Sequence, residues 1–438
     1  MTTSFTGALV LVLSACGGSA HIPAATASGP QLYMTPVVAG GAATRATALL
    51  ATYSIDDGQK TFAQATYSAS GKQVHYSGSI APFQRGLLSL AVTKSDNLTT
   101  RVTNGWAFEL AGQAGGLVAL QNQPFAPMVP AVSCPAMTNP ETFLFVTLPA
   151  PLTTGAQELL RWNPQTETAY GSVDIGANGS TVTLNNIGQH TLTSSGGTGA
   201  PANPSPTSVT GGCSPTPYGN TVSIPGEVTI TNPGNGQMVT PQALLGIGPS
   251  GLLVEDNGMN VSATPLYENA LGAGTGAIGL PKPSAAVDTG SLAGAQYLGF
   301  FYGTGTGSVT SPDWSTSLAS FGFSSLPASC ASIAPQTGTM LYGGDFTNND
   351  PTTSMTGYGN CDFAIDLGLQ DTKNNGLYPS ATVYVGSGFG TNTTGKTYSF
   401  PAVAIAGQLN GKYAIFLIGA DSVGSPNQAW GIYLLQSN

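Results

Sequence analysis

Short apolar runs separated by turn residues dominate the chain from Val37 onward. Thr47-Ala-Leu-Leu-Ala-Thr-Tyr-Ser-Ile55 leads into Asp57-Gly58, and Thr61-Phe-Ala-Gln-Ala-Thr-Tyr67 into Ser70-Gly71. Gln73-Val-His-Tyr-Ser77, Gly86-Leu-Leu-Ser-Leu-Ala-Val92 and Trp106-Ala-Phe-Glu-Leu110 continue the series. Aromatic and β-branched residues at a spacing of two suit half-buried strands, because successive side chains of a strand point to opposite faces. Asn-Gly or Asp-Gly pairs punctuate the runs at Asp57, Asn104, Asn178, Asn235, Asn257, Asn375 and Asn410. Both central residues of a type I′ turn need positive φ, so these pairs are strong hairpin signals. Their spread over the whole length predicts an all-β protein of antiparallel sheets, of barrel or sandwich type.

Phe143-Leu-Phe-Val-Thr-Leu148 is apolar on both faces and suits a central strand. Tyr170 to Ile175, the Asn178-Gly179 pair and Ser180 to Leu184 predict one hairpin. Gln157-Glu-Leu-Leu-Arg161 is the best helical candidate of the first half. Residues 194–217 are rich in Gly, Ser, Thr and Pro without periodicity, which reads as a linker. A long surface loop inside one domain is the alternative. The length supports two or three domains. The predicted organisation is a β domain over 37–193, the linker, and a second β domain over 218–438. In the second, Phe400-Pro-Ala-Val-Ala-Ile405 meets Lys412-Tyr-Ala-Ile-Phe-Leu-Ile418 across Asn410-Gly411, and Trp430-Gly-Ile-Tyr-Leu-Leu435 closes the chain. These runs are apolar on both faces, which places the end of the chain in the middle of a sheet.

The N-terminus carries another pattern. The apolar run Phe5 to Leu13 is closed by Leu13-Ser14-Ala15-Cys16, and Gly17, Gly18 and Ser19 follow. This resembles the lipobox of bacterial lipoproteins: an apolar residue, two small residues and an obligatory cysteine. The resemblance implies a signal peptide over 1–15, removed on export, and Cys16 as the lipid attachment residue. Two acyl chains on the sulfur and one on the new amino terminus anchor stably where a single chain binds marginally. A signal peptide carries Lys or Arg ahead of its apolar core; Met1-Thr2-Thr3-Ser4 has neither, which places the true start upstream. Gly17 rather than Asp follows the cysteine, so the resemblance implies an outer-membrane or cell-surface location. Residues 16–36 are small, Pro-containing and without charge, and read as a flexible tether reaching on the order of 25 Å. The second half is similar to lipoproteins of soil acidobacteria through Ile247-Gly-Pro-Ser-Gly-Leu-Leu-Val-Glu-Asp256, Leu377-Tyr-Pro-Ser-Ala-Thr-Val383 and Phe400-Pro-Ala-Val-Ala-Ile405. That likeness implies a location and no activity.

Charged residues make up 7% of the 438, against about 25% in an ordinary soluble domain. Eleven Lys and Arg oppose twenty Asp and Glu for a net charge of -9, too sparse a basic complement to neutralise a run of phosphates. Nucleic acid is excluded as a partner on that ground. A hydrophobic content of 41% is too apolar for disorder, and 59 Gly with 31 Pro agree with many short strands and turns. No second apolar segment approaches the roughly 20 residues of a helical span, so the bilayer is a partner through acylated Cys16 alone.

Cys134, Cys213, Cys330 and Cys361 remain once Cys16 is set aside. An even number in an exported chain suggests disulfides, and the favoured pairing is Cys134–Cys213 with Cys330–Cys361. Bridges closing loops of that length each stabilise by about 3–4 kcal/mol in the chain-entropy model. Zinc is the rival use, but no Cys-x-x-Cys pair exists and His21, His75 and His190 are scattered.

Candidate chemistry is thin. Gly246-Ile-Gly248-Pro-Ser-Gly251 and Gly274-Thr-Gly276-Ala-Ile-Gly279 match a dinucleotide fingerprint, yet neither opens a helix. Ser250 lacks the final glycine of a nucleophile elbow, since Leu252 stands there. The strongest polar cluster runs from Asp345 to Gly376. Gly344-Asp345-Phe346 resembles the calcium loops of propeller repeats, and Asp371 to Gly376 resembles a DxDxDG loop with Lys373 in a ligand position. Asp345, Asp350, Asp371 and Asn375 are the candidate ligands for a structural calcium; Asn/Asp turn chemistry is the other reading. Trp106, Trp162, Trp314 and Trp430 are candidates for a sugar platform or for core packing. The sequence therefore predicts a membrane-anchored, extracytoplasmic protein with a non-catalytic binding or structural role, its partner a glycan or an envelope protein. The alternative is an extracytoplasmic hydrolase, for example a glycosidase, whose paired carboxylates sequence alone does not locate.

Overall fold

The computed structural model describes residues 30–35, 50–68, 71–83, 87–95, 102–110, 114–120, 126–130, 140–148, 167–177, 180–191, 198–199, 207–209, 212–216, 219–225, 230–231, 238–239, 242–248, 250–257, 276–303, 315–321, 340–343, 363–385, 398–422 and 425–437. The first eight strands form a closed antiparallel barrel. They are β1 (Gln31–Thr35), β2 (Leu50–Asp56), β3 (Thr61–Ser68), β4 (Gly71–Pro82), β5 (Leu87–Ser95), β6 (Asn104–Glu109), β7 (Gly116–Leu120) and β8 (Ala126–Pro130). Each pairs with the next, and β8 returns to β1 with Pro130 opposite Tyr33 and Val129 opposite Met34.

A middle sheet follows. It begins with β9 (Glu141–Thr147), β10 (Glu167–Ile175), β11 (Val182–Thr191), β12 (Thr198–Gly199), β13 (Thr207–Val209), β14 (Gly212–Thr216) and β15 (Gly219–Pro225). A small ribbon pairs β16 (Ile230–Thr231) with β17 (Met238–Val239). The sheet resumes with β18 (Gln242–Ile247), β19 (Leu253–Asn257) and β20 (Gly276–Pro281). Its order is β12-β11-β10-β9-β20-β19-β18-β15-β14, with β13 beside β11. The stretch 194–217, expected to be a linker, supplies β12, β13 and β14 of this sheet. Strands from both sides of it meet where β9 pairs with β20. Short Thr- and Gly-containing strands carry little local signal; pairing onto an existing sheet decides them.

The chain then passes through α1 (Thr289–Gly294), whose amino end Asp288 caps through Gly290 and Ser291. A second closed barrel completes it: β21 (Tyr297–Gly303), β22 (Ser315–Phe321), β23 (Met340–Gly343), β24 (Phe363–Asp366), β25 (Leu377–Val385), β26 (Tyr398–Leu409), β27 (Lys412–Ser422) and β28 (Ser425–Gln436). β21 pairs with both β22 and β28, which closes the ring. The fold is all-β and antiparallel.

The period of two sorts the side chains. In β6 and β7, Ala107, Val118 and Leu120 point into the first barrel with Tyr33, Tyr53, Phe62 and Met128. Trp106, Phe108, Leu117 and Ala119 point the other way, into a core shared with Leu144, Val146, Val254 and Ile278 of the middle sheet. β27 repeats the arrangement: Ile415 and Leu417 fill the second barrel, while Ala414, Phe416 and Ile418 enter the same shared core. These strands read apolar on both faces because both faces are covered. The far face of the middle sheet holds its own cluster, with Phe143, Val173, Ile175 and Leu253. Eight strands enclose a space just wide enough for side chains. Each aromatic or aliphatic side chain buried there contributes about 1.5–3 kcal/mol.

The turns differ in how they meet expectation. Asn410 (φ 52°) and Gly411 (φ 74°) form the two-residue turn with Leu409 opposite Lys412. Asp57-Gly58 instead opens a longer turn over 57–60, in which Lys60 takes the positive φ of 55°. There Asp56 Oδ1 accepts from the Gln59 amide at 2.8 Å, so the turn is organised by a side chain. Asn104-Gly105 forms no turn; both residues lie inside β6. A Cβ on Gly105 would come within 2.6 Å of the Ala119 carbonyl oxygen, so the glycine permits close approach of β7. The helical candidate Gln157 to Arg161 lies outside the described residues.

Candidate functional site

Asp371 and Asn375 lie in the connection between β24 and β25; Asp345 and Asp350 lie outside the described residues. Asp371 Oδ1 accepts from the Lys373 amide (2.9 Å), the Asn374 amide (2.7 Å) and Asn374 Nδ2 (3.2 Å). Asn375 Nδ2 donates to the Pro283 carbonyl at 3.3 Å, and Lys282 Nζ to Asn374 Oδ1 at 3.1 Å. Gln370 Oε1 accepts from the Gly376 amide at 2.6 Å and the Val287 amide at 3.1 Å. These polar groups bind backbone and each other, and clasp residues 282–287 to the second barrel. Among the described residues, no group of three or more His, Cys, Asp or Glu is placed to hold a metal ion.

The other sequence candidates are dispersed. His75 is buried in β4, at a bulge where Gln64 faces Tyr76 and Ala65 faces Val74, leaving His75 as the extra residue. His190 lies in β11 opposite Thr168 and Thr198. Ser250 is buried in the turn between β18 and β19, where its Oγ accepts from the Leu252 amide at 3.3 Å. Trp106 is buried edge-on against Phe83, with ring centroids 5.4 Å apart, and Trp430 is buried inside the second barrel, so neither offers a face to a sugar. Cys213 lies in β14. Cys16, Cys134, Cys330, Cys361, His21, Trp162 and Trp314 lie outside the described residues, among which no disulfide is present.

One polar site passes unnoticed in the sequence. Glu109 ends β6 on the inward parity set by Ala107, and Tyr33 Oη donates to its Oε1 at 2.5 Å. Burial pushes the Glu109 carboxyl above the usual range. The Tyr33 hydroxyl opposes that shift, nearby Asp57 adds to it, and Lys60 partly offsets it. The Tyr33 hydroxyl is itself raised, first by burial and then by the Glu109 charge. The signal available in the sequence is a lone carboxylate in the otherwise apolar run Trp106-Ala-Phe-Glu-Leu110. The pair sets one carboxylate and one hydroxyl in hydrogen-bond contact between β1 and β6.

No helix among the described residues is long and apolar enough to cross a membrane. No protein-family model matches the chain, and no curated protein does. Among solved structures the chain is similar to isotype 1 transferrin binding protein B from serogroup B Neisseria meningitidis. There the TM-score is 0.26 and the identity 9%, over 89% of this chain and 65% of that one. It is also similar to a double mutant of transferrin binding protein B from Haemophilus parasuis Hp5, at TM-score 0.26 and 8% identity, over 89% of this chain and 65% of that one. A single-site mutant of the latter gives TM-score 0.26 and 8% identity, over 94% of this chain and 75% of that one. The chain thus spans just under two thirds of the first two.

Proposed function

We propose that the protein is a lipid-anchored extracytoplasmic lipoprotein with a non-catalytic binding or structural role at the cell envelope. The observation that carries this reading is Leu13-Ser14-Ala15-Cys16 at the end of an apolar run. Export removes residues 1–15, Cys16 receives the acyl chains, and residues 16–36 hold the body off the bilayer at the outer membrane or cell surface. The architecture supports the same reading. Both barrels are filled by side chains such as Tyr33, Tyr53, Tyr297 and Leu417, and both share one core with the middle sheet. Such a body recognises a glycan or envelope protein through outward turns on a rigid scaffold. Bridges Cys134–Cys213 and Cys330–Cys361 belong to this exported state.

The test is the intact mass and fractionation of the protein from its own cell. A chain beginning at Cys16 with two or three acyl groups is expected in the membrane fraction, and Cys16→Ala is expected to abolish the acylation. An unacylated, soluble chain that keeps the residues before Cys16 overturns the reading.

A further inference from the structure

Asn104-Gly105, Asn375-Gly376 and Asn410-Gly411 are identical dipeptides held in three different ways. Asn104 and Gly105 lie inside β6, where Gly105 pairs with Leu90 on β5 and Leu120 on β7. Asn375 and Gly376 lie between β24 and β25. There Asn375 Nδ2 donates to the Pro283 carbonyl at 3.3 Å, and the Gly376 amide to Gln370 Oε1 at 2.6 Å. A Cβ on Gly376 would stand 2.4 Å from the Ala406 carbonyl oxygen and 2.9 Å from Pro283 Cδ. Asn410 and Gly411 are exposed, and the ladder passes them by: the pair that closes their turn is Leu409 with Lys412. A Cβ on Gly411 would meet no described atom within 4 Å. Asn178-Gly179, Asn235-Gly236 and the glycine of Asn257-Gly258 lie outside the described residues.

We propose that Asn410-Gly411 is a self-modification site, at which the native protein converts Asn410 to aspartate and isoaspartate while Asn104 and Asn375 are spared. The Gly411 backbone nitrogen, its proton taken by hydroxide, attacks Asn410 Cγ. A new C–N bond forms, the bond from Cγ to the side-chain nitrogen breaks, and ammonia leaves with a proton from water. The resulting five-membered imide takes up water and opens at either carbonyl, to aspartate or to isoaspartate. The sum is asparagine and water giving the acid and ammonia. Ring closure needs an attacking amide outside the ladder and room for its peptide to rotate, and the turn at Asn410 supplies both. At Gly376 the attacking nitrogen already donates to Gln370, and Asn375 is held on Pro283, so two hydrogen bonds must break first. At Gly105 the peptide is fixed between β5 and β7. Either product adds one negative charge to a chain of net charge -9. Aspartate keeps a pair that suits a type I′ turn, whereas isoaspartate adds a backbone carbon and misfits the Leu409–Lys412 closure.

Peptide mass mapping of the full chain, incubated in mildly alkaline buffer, tests this. A parallel incubation in denaturant gives the rates of the same dipeptides without the fold. In the native protein Asn410 is expected to convert about tenfold or more faster than Asn104 or Asn375, the factor that one retained hydrogen bond gives. In denaturant the three rates are expected to converge. Isoaspartate at position 410 is read by its acceptance of a methyl group from an isoaspartyl methyltransferase. Gly411→Ala places a methyl group on positive-φ backbone beside the attacking nitrogen, and is expected to slow conversion at Asn410 while leaving the other two rates unchanged. An Asn410 that stays intact while the unfolded chain converts, or native rates that bring Asn104 or Asn375 level with it, overturns the site. Should Gly411→Ala disturb the fold, the native-against-denatured comparison of the wild-type chain decides alone.

Discussion

Gly299 lies against the carbonyl of Tyr433 at the seam where β21 meets β28: a Cβ added at 299 would collide with that backbone oxygen. The second barrel closes through this approach. Gly246 of the middle sheet is also crowded, but its nearest neighbour is Cε of Met34, the far end of a flexible side chain. Backbone cannot yield and a thioether can. Gly299→Ala is therefore expected to cost about 3 kcal/mol and Gly246→Ala less than about 1 kcal/mol. Chemical denaturation read by tryptophan fluorescence gives both values; equal costs would contradict the packing.

Two tyrosines inside the second barrel make a second comparison. Tyr297 Oη donates to the Leu292 carbonyl at 2.7 Å, tying the barrel to α1. Tyr378 Oη is buried and finds no hydrogen-bond partner among the described residues, and burial pushes its hydroxyl up to about 12. Removing a satisfied hydroxyl loses a bond, whereas removing an orphan relieves a desolvation cost. Tyr297→Phe is expected to destabilise by about 1 kcal/mol, and Tyr378→Phe to be neutral or stabilising by about 1 kcal/mol. Denaturant midpoints of the two variants, compared with wild type, check the order.

Asp288 should titrate against the direction of Glu109. Its carboxylate accepts from the Ser291 hydroxyl at 2.5 Å, the Gly290 amide at 3.1 Å and the Ser291 amide at 3.3 Å. These bonds, the hydroxyl first, hold the carboxyl below its usual range. The native state binds the proton less readily than the unfolded one, so the cap supports α1 above the unfolded carboxyl's value and loses that support as pH falls through the native one. Carboxyl carbon NMR shifts followed in acid are expected to place Asp288 below an ordinary aspartate. Asp288→Asn should show a weaker acid dependence at the amides of Gly290 and Ser291.

The loop at Asp371 separates turn chemistry from metal chemistry. Its Oδ1 already takes three donors from Lys373 and Asn374. Asp371→Ala is expected to cost about 1–2 kcal/mol through those lost bonds. The difference should be the same in calcium and in a chelator. A cost confined to calcium-containing buffer, measured by thermal melting, would instead make Asp371 a ligand.

Much of the fold was legible because one rule, alternation, was obeyed where packing is densest. The hairpin from Phe400 to Ile418 and the final run to Leu435 lie side by side as β26, β27 and β28, and Asn410-Gly411 turns as its composition asks. Elsewhere identical dipeptides diverge. Asn104-Gly105 sits within a strand because β7 needs room there, a tertiary fact that two residues do not encode. The 194–217 stretch looked structureless because β12 to β14 gain their order by pairing onto partners such as Gln189 and Val222 and not from a periodic pattern of their own. The Tyr33–Glu109 pair was hidden for a similar reason. The two residues are 76 positions apart, and only ring closure makes them face one another.

Ring closure has a further consequence wherever copies of the chain meet. Within each barrel every strand already has two neighbours, although β22 meets β23 through Phe321 and Gly343 alone, so little ladder is left to template a second molecule. Among the described residues, open edges fall instead to the ends of the middle sheet and to the short ribbon of β16 and β17. β14 at one end is short, and its Pro215 offers no amide hydrogen; β12 and β13, at the other, span two and three residues. The architecture thus spends its length on rings and keeps its described margins brief, which limits edge-to-edge pairing between copies of a weakly charged chain.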